Sequence, residues 1–395
     1  MRRLIAADAV FSASDDQPEL LEGGAVLIGS DGHIEAVGHV DELRRKGAEE
    51  LTVSGVLMPG LCDVHTHLCL SASLDPFSDA LEEHPARMTM RAVRSLGAHL
   101  DAGVTTIRDV GGVAGVDLEL QRLVDEGEVE GPQVFAAGRL IAMTGGHACM
   151  LGIEADGPDA VRAAARENLK AGARLIKIIA TGGVLTSGVR PGAQQLTEDE
   201  MRAAVEEATK AGKRVAAHAQ GADGIDAALR AGVHTIEHGF WLSDFALEVL
   251  KAPDRALVPT LAALICMRRM SDLLPDEINQ KLIEAAIPHG DSIRRAHAAG
   301  CCIATGTDAG TPGNPHGNIG VELAGLRDHG LDALDCWRAA TRNGAQALGL
   351  DDRGSLQPGK RADLIALSRA DFETVSERFR PSLVMRAGDV VRGAV

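Results

Sequence analysis

The chain has 395 residues, 45% of them hydrophobic, with 45 glycines, no tyrosine and a formal net charge of -16 at pH 7. That length can bury a large core, and the Ala/Gly/Val/Leu-rich profile fits a close-packed helix-and-strand protein rather than a disordered or fibrous one. So acidic a balance argues against nucleic acid or an anionic membrane surface as a partner.

From the N-terminus, the first residues lack an apolar core long enough for a signal peptide, and no run approaches transmembrane length. The seven cysteines are irregularly spaced without a Cys-x-x-Cys, so neither a disulfide framework nor a zinc ribbon is indicated. A soluble protein of the reducing cytoplasm is expected, with a homo-oligomer left open. Residues 1–57 hold short β-type runs (25–28, 33–38) between Gly- and Asp-containing turns, and the far C-terminus repeats the style at 362–367 and 381–388. Two β-rich ends predict one small sheet domain assembled from 1–57 and 359–395.

Between them, residues 58–358 alternate. Apolar runs occur at 105–109, 133–138, 175–179, 214–218, 234–238, 257–260 and 301–308, and with the opening run at 59–68 they make about eight βα units. That is the count of a (β/α)8, TIM-like barrel, so the expected class is α/β. Helices are predicted over 159–171 and 197–211, the second opened by the capping box that starts at Thr197, and Ala-Gly pairs beginning at 102, 171, 211 and 231 mark helix ends.

Side chains at strand C-terminal ends converge at one mouth of such a barrel. There the sequence places His65, His67, Lys177, His218, His238 and Asp308. His65 and His67 are two apart, so on a strand both imidazoles face one side, as half of a metal site would need. Lys177 stands in the apolar run Leu-Ile-Lys-Ile-Ile; such a lysine ordinarily reaches a carboxylate or solvent, and otherwise loses its proton. A neutral lysine can take up CO2 to become a carbamate, an anionic ligand with two oxygens. Asp308 could be an N-cap, but the following 309–313 read as loop.

This set (His-x-His, Lys, His, His, Asp), with the tail segments 341–345 and 354–364, resembles the binuclear amidohydrolase superfamily over essentially the whole chain. The segments 176–184 and 144–147 look like its branch of Xaa-Pro and other dipeptidases, related to imidazolonepropionase-like and ochratoxin-cleaving members. The resemblance implies two divalent metal ions, zinc by default. His65, His67 and Asp308 would hold the first and His218 and His238 the second, with carboxylated Lys177 bridging. It also implies a metal-bridging hydroxide with Asp308 as proton shuttle, and a small β-sandwich domain made by the two ends.

The reaction expected is hydrolysis of an amide bond in a dipeptide or N-acyl amino acid, a small-molecule substrate. A cyclic amide, carbamate or ester is the alternative, and a non-catalytic scaffold would require lost ligands, of which there are none. For substrate contacts the candidates are His147, where relatives hold a carboxylate; Gln220, where relatives often carry Tyr or His; Arg190 in the long loop 183–195; and His316, expected near the mouth. Phe240 and Trp241 could pack an apolar substrate group or simply the barrel rim.

Overall fold

The computed structural model describes residues 1–393 except 17, 45 and 46. Parallel strands occupy the middle of the chain. Leu61–Thr66, Val104–Asp109 and Gln133–Ala136 form one parallel sheet. A second runs in the order Ile153–Glu154, Ile141–Ala142, Leu175–Ile179, Arg214–Ala219, Thr235–His238, Ala256–Val258. Nearly every strand position is buried, as expected where helices cover a parallel sheet. Backbone bonds tie the sheets together: Arg174 N–H donates to Ala136 O (2.9 Å) directly, and the run 301–308 links them again, its Thr305 O accepting from Val64 N–H (2.9 Å) and its Cys302 O from Leu257 N–H (2.9 Å).

The run at 301–308 was expected to be a strand, but it holds only an isolated bridge, Leu257 to Ile303, with a second just past its end, Thr66 to Ala309. The ladder breaks because Thr305 N–H donates to Ala339 O (3.1 Å) and Asp308 turns into the left-handed region (φ 57). The predicted helices form as Pro158–Lys170 and Glu198–Lys210, the latter with the full capping box: Thr197 Oγ1 accepts from Glu200 N–H, and Glu200 accepts from Thr197 N–H. The Ala-Gly pairs end their helices with the glycine at positive φ (82, 101, 65 and 96 at Gly103, Gly172, Gly212 and Gly232).

Both ends of the chain enter one eight-stranded sheet. Its order is Asp389–Arg392, Leu383–Arg386, Leu364–Leu367, Glu49–Pro59, Arg3–Val10, Gly24–Ile28, Ile34–His39, with Leu21–Glu22 added to Arg3–Val10. A bridge between His33 and Arg361 brings the far edge back to the C-terminal strands, so the sheet curls around its own apolar cluster (Ile5, Val26, Leu57, Leu364, Met385). Its hydrogen bonding runs as one continuous sheet through the strands of both chain ends. Trp337 couples it to the middle of the chain, stacking on Phe372 (5.9 Å) while its indole N–H donates to Phe372 O (2.8 Å). Among the described residues, no helix is long and apolar enough to cross a membrane.

Candidate active site

His65, His67, Lys177, His218, His238 and Asp308 all line a single cavity, with His147 and Gln220. On Leu61–Thr66, the alternation of a strand puts Asp63, His65 and then His67 on one side. His65 Nδ1 pairs with Glu237 Oε2 (2.7 Å), and its Nε2 lies 3.5 Å from Asp308 Oδ1. His67 Nε2 lies 3.3 Å from the same oxygen, and its Nδ1 is 3.3 Å from Gly111 O. The His218 and His238 rings stand 4.5 Å apart and those of His65 and His238 5.2 Å apart.

Two ligand candidates sit on strained backbone. His238 (φ 72) and Asp308 (φ 57) are left-handed, as is Thr260 (φ 56), whose Oγ1 contacts His238 Nδ1 at 2.7 Å. Each such residue costs on the order of 1–3 kcal/mol, a cost that clusters at functional sites. At His238 the turn also re-aims the ring: Thr235 and Glu237 point inward together, and a regular strand would send His238 the other way. Asp308 is held by its own carbonyl, which accepts from Asn314 Nδ2 (3.0 Å) and Thr311 Oγ1 (2.7 Å); the next helix begins only at Ile319, so Asp308 caps nothing.

Burial governs the electrostatics. It holds His65, His218 and His238 well below the usual imidazole range and takes His147 down to about 4, leaving neutral rings able to ligate a metal. Lys177 is 2% exposed and, among the described residues, has no carboxylate within ion-pair distance. Burial pushes it down to about 8, with Glu237 working against the shift. For Asp308 burial alone would raise the carboxyl, but the His65 and His67 imidazoles outweigh it and hold it near 2. Ligand atoms of His65, His238 and Asp308 lie within 4.8 Å of one another, close enough to share one cation. A nitrogen and carboxylate donor set of this kind suits zinc and its neighbours.

His147 is fixed by Thr186, whose Oγ1 is 2.7 Å from Nδ1, and its ring packs 4.4 Å from that of His218. Gln220 is 3% exposed, and its Oε1 has no hydrogen-bond partner among the described residues. The other two substrate candidates lie elsewhere. Arg190 is exposed and lines a neighbouring cavity with Asp223, Trp241 and Glu284, because its loop turns outward. His316 is half-buried behind the wall, its Nδ1 3.3 Å from His99 Nε2, because 309–318 folds back against the helix Pro85–Asp101. Phe240 lines the cavity, whereas Trp241 does not.

Glu237 and Arg108 escaped the sequence reading. Arg108 donates to Glu237 Oε1 (2.7 Å) while Glu237 Oε2 orients His65, and both residues are fully buried. The signal was there in outline: a carboxylate and an arginine, each inside an otherwise apolar strand, must find each other or another partner.

Comparison with known proteins agrees with this architecture. The profile of the amidohydrolase family matches residues 56–391. Ochratoxinase of Aspergillus niger is 30% identical over 395 residues, spanning 91% of this chain and 80% of that protein. Its crystal structure superposes with a TM-score of 0.89 at 28% identity, covering 100% of this chain and 96% of that one. The crystal structure of a Xaa-Pro dipeptidase with bound methionine in the active site gives a TM-score of 0.87 at 29% identity, covering 100% of both chains. Imidazolonepropionase of Deinococcus deserti is 30% identical over 182 residues, 45% of this chain and 41% of that protein.

Proposed function

The chain belongs to the amidohydrolase family, and on that premise we propose that it is a metal-dependent hydrolase of the amide bond in a dipeptide or N-acyl amino acid scaffold. The observation that carries this is the gathering, around one cavity, of five histidines, Asp308 and a buried lysine without an ion-pair partner among the described residues. The parallel strands are then a closed (β/α)8 barrel over 58–358, which the bonds joining the two sheets and the run at 301–308 support. The curled sheet is a small domain made of 1–57 and 359–395.

Two divalent ions, zinc by donor type, would be held by His65, His67, His218, His238, Asp308 and Lys177 as its carbamate; when bound, such ions acidify water and polarise a carbonyl. Lys177 loses a proton, attacks CO2 through its nitrogen and releases a second proton to become an anionic carbamate. Its depressed pKa favours the first of those steps. Asp308 accepts the proton of the attacking water and returns it to the departing nitrogen. Glu237 keeps His65 in one orientation, and Thr186 does the same for His147.

The test is elemental analysis beside a screen of dipeptides, N-acyl amino acids, lactams and carbamates. Close to two metals per chain and release of an amine are expected. Turnover of lactams, carbamates or esters alone would establish the alternative class instead.

A further inference from the structure

The cavity wall is made of different material from its floor. Above the histidines stand Leu140, Val184, Leu185, Phe240, Leu264 and Met267. The space among them is about 60 Å³, room for a few water-sized groups. An adjoining cavity of about 260 Å³ shares Phe77 and Leu185 and is lined further by Leu74, Leu274 and Ile278, with the carboxylates of Asp75 and Glu277 and the Ser187 hydroxyl among them. Leu74 is half-exposed at that outer opening. A substrate group lying just above the histidines therefore rests against aliphatic and aromatic carbon, and what polar charge the outer cavity carries is negative.

Among the described residues, no arginine lines either cavity, and their one lysine is Lys177 on the floor. Nearby cations are committed elsewhere: Lys281 to Glu277 (2.7 Å) and Thr186 O (2.8 Å), Arg91 to Glu83 (2.7 Å) and the carbonyls of Cys69 and Leu70. Arg190 faces the separate cavity beside Asp223 and Glu284. A carboxylate seated on the wall would lose its water and gain no counter-ion. The buried polar group that does await a partner is the Gln220 carboxamide, whose Oε1 is unsatisfied. Turned either way, a carboxamide is neutral, and its oxygen is completed by an N–H or O–H donor that a carboxylate lacks.

We propose that this site selects substrates with a bulky apolar group against the wall and an uncharged hydrogen-bonding group at Gln220, that is, N-acyl amino acids whose carboxyl is capped as an amide. The inference rests on the amide-hydrolase reading above and narrows its substrate class.

Benzoyl-leucinamide and benzoyl-leucine test it, with release of benzoate read by chromatography in the metal-loaded protein. The capped compound is expected to give a kcat/KM higher by about tenfold or more, the margin that an unpaired buried group imposes. Gln220→Arg is expected to narrow or invert the ratio by speeding the free acid. The same preference should appear in Kd, by calorimetry on Asp308→Asn, where turnover does not intervene. Equal or faster release from the free acid by the wild-type protein overturns the inference and leaves amide hydrolysis standing. Release from neither compound overturns both.

Discussion

The floor and the wall of the cavity follow opposite rules. The floor is polar, fully buried and built from strand ends, with His65, Lys177, His218 and Asp308 each tied to backbone that cannot shift without moving a strand. The wall is apolar and built from loops and helices, such as Val184 and Leu185 in the long loop and Leu264 and Met267 on Leu261–Arg269. On the proposed function, bond cleavage depends on the first region and choice of substrate on the second, so substitutions in the two should fail differently.

The largest effect is expected on the floor. Asp308→Asn and Lys177→Ala should each lower kcat by about 1,000-fold or more, since the first removes the proposed proton carrier and the second a proposed ligand of the metal ions. Undiminished turnover in Asp308→Asn would exclude its proton relay. Glu237→Gln should weaken metal binding by roughly 10- to 100-fold in a chelator competition, because His65 loses its orienting carboxylate. At the boundary, Gly183→Ala should cost about tenfold in kcat/KM while leaving metal content near two per chain: a Cβ there would stand 2.6 Å from the His147 ring and push it out of line.

Smaller is the effect of His289, packed 4.6 Å from Phe240 behind the wall. Burial takes it from 6.5 down to about 3. The unfolded chain therefore takes up that proton first; the contribution to stability is intact above about pH 6.5 and fades as pH falls toward 3. His289→Gln should flatten this acid limb by up to one proton, measured from denaturant midpoints across that range. Smallest of all, Arg190→Ala should change kcat/KM less than about twofold, as an exposed side chain outside the cavity.

The floor was legible in the sequence because its chemistry is local. Two histidines two residues apart, and a lysine in an apolar run, announce themselves by spacing and by the cost of burial. The strands 175–179 and 214–218 were readable for the same reason, as continuous apolar runs. What was hidden depends on long-range partners. His316 was expected at the mouth, and nothing in its own segment tells that His99 waits behind the wall. Residues 301–308 have strand composition, but the Ala339 carbonyl that interrupts their ladder lies on a later helix. Glu237 and Arg108 identify each other only once Thr235–His238 and Val104–Asp109 face across the same interior.

The curled terminal sheet has a consequence for how the protein is made. Glu49–Pro59 pairs along one edge with Arg3–Val10, available at once, and along the other with Leu364–Leu367. At about 5–20 residues per second the ribosome needs on the order of 15–60 s to deliver the latter. Through that interval an apolar edge of the nascent chain has no neighbour, the state in which strands recruit strangers. A fragment truncated before Leu364 would hold that state permanently, and it should coaggregate or be captured by a chaperone even with every proposed metal ligand already synthesised.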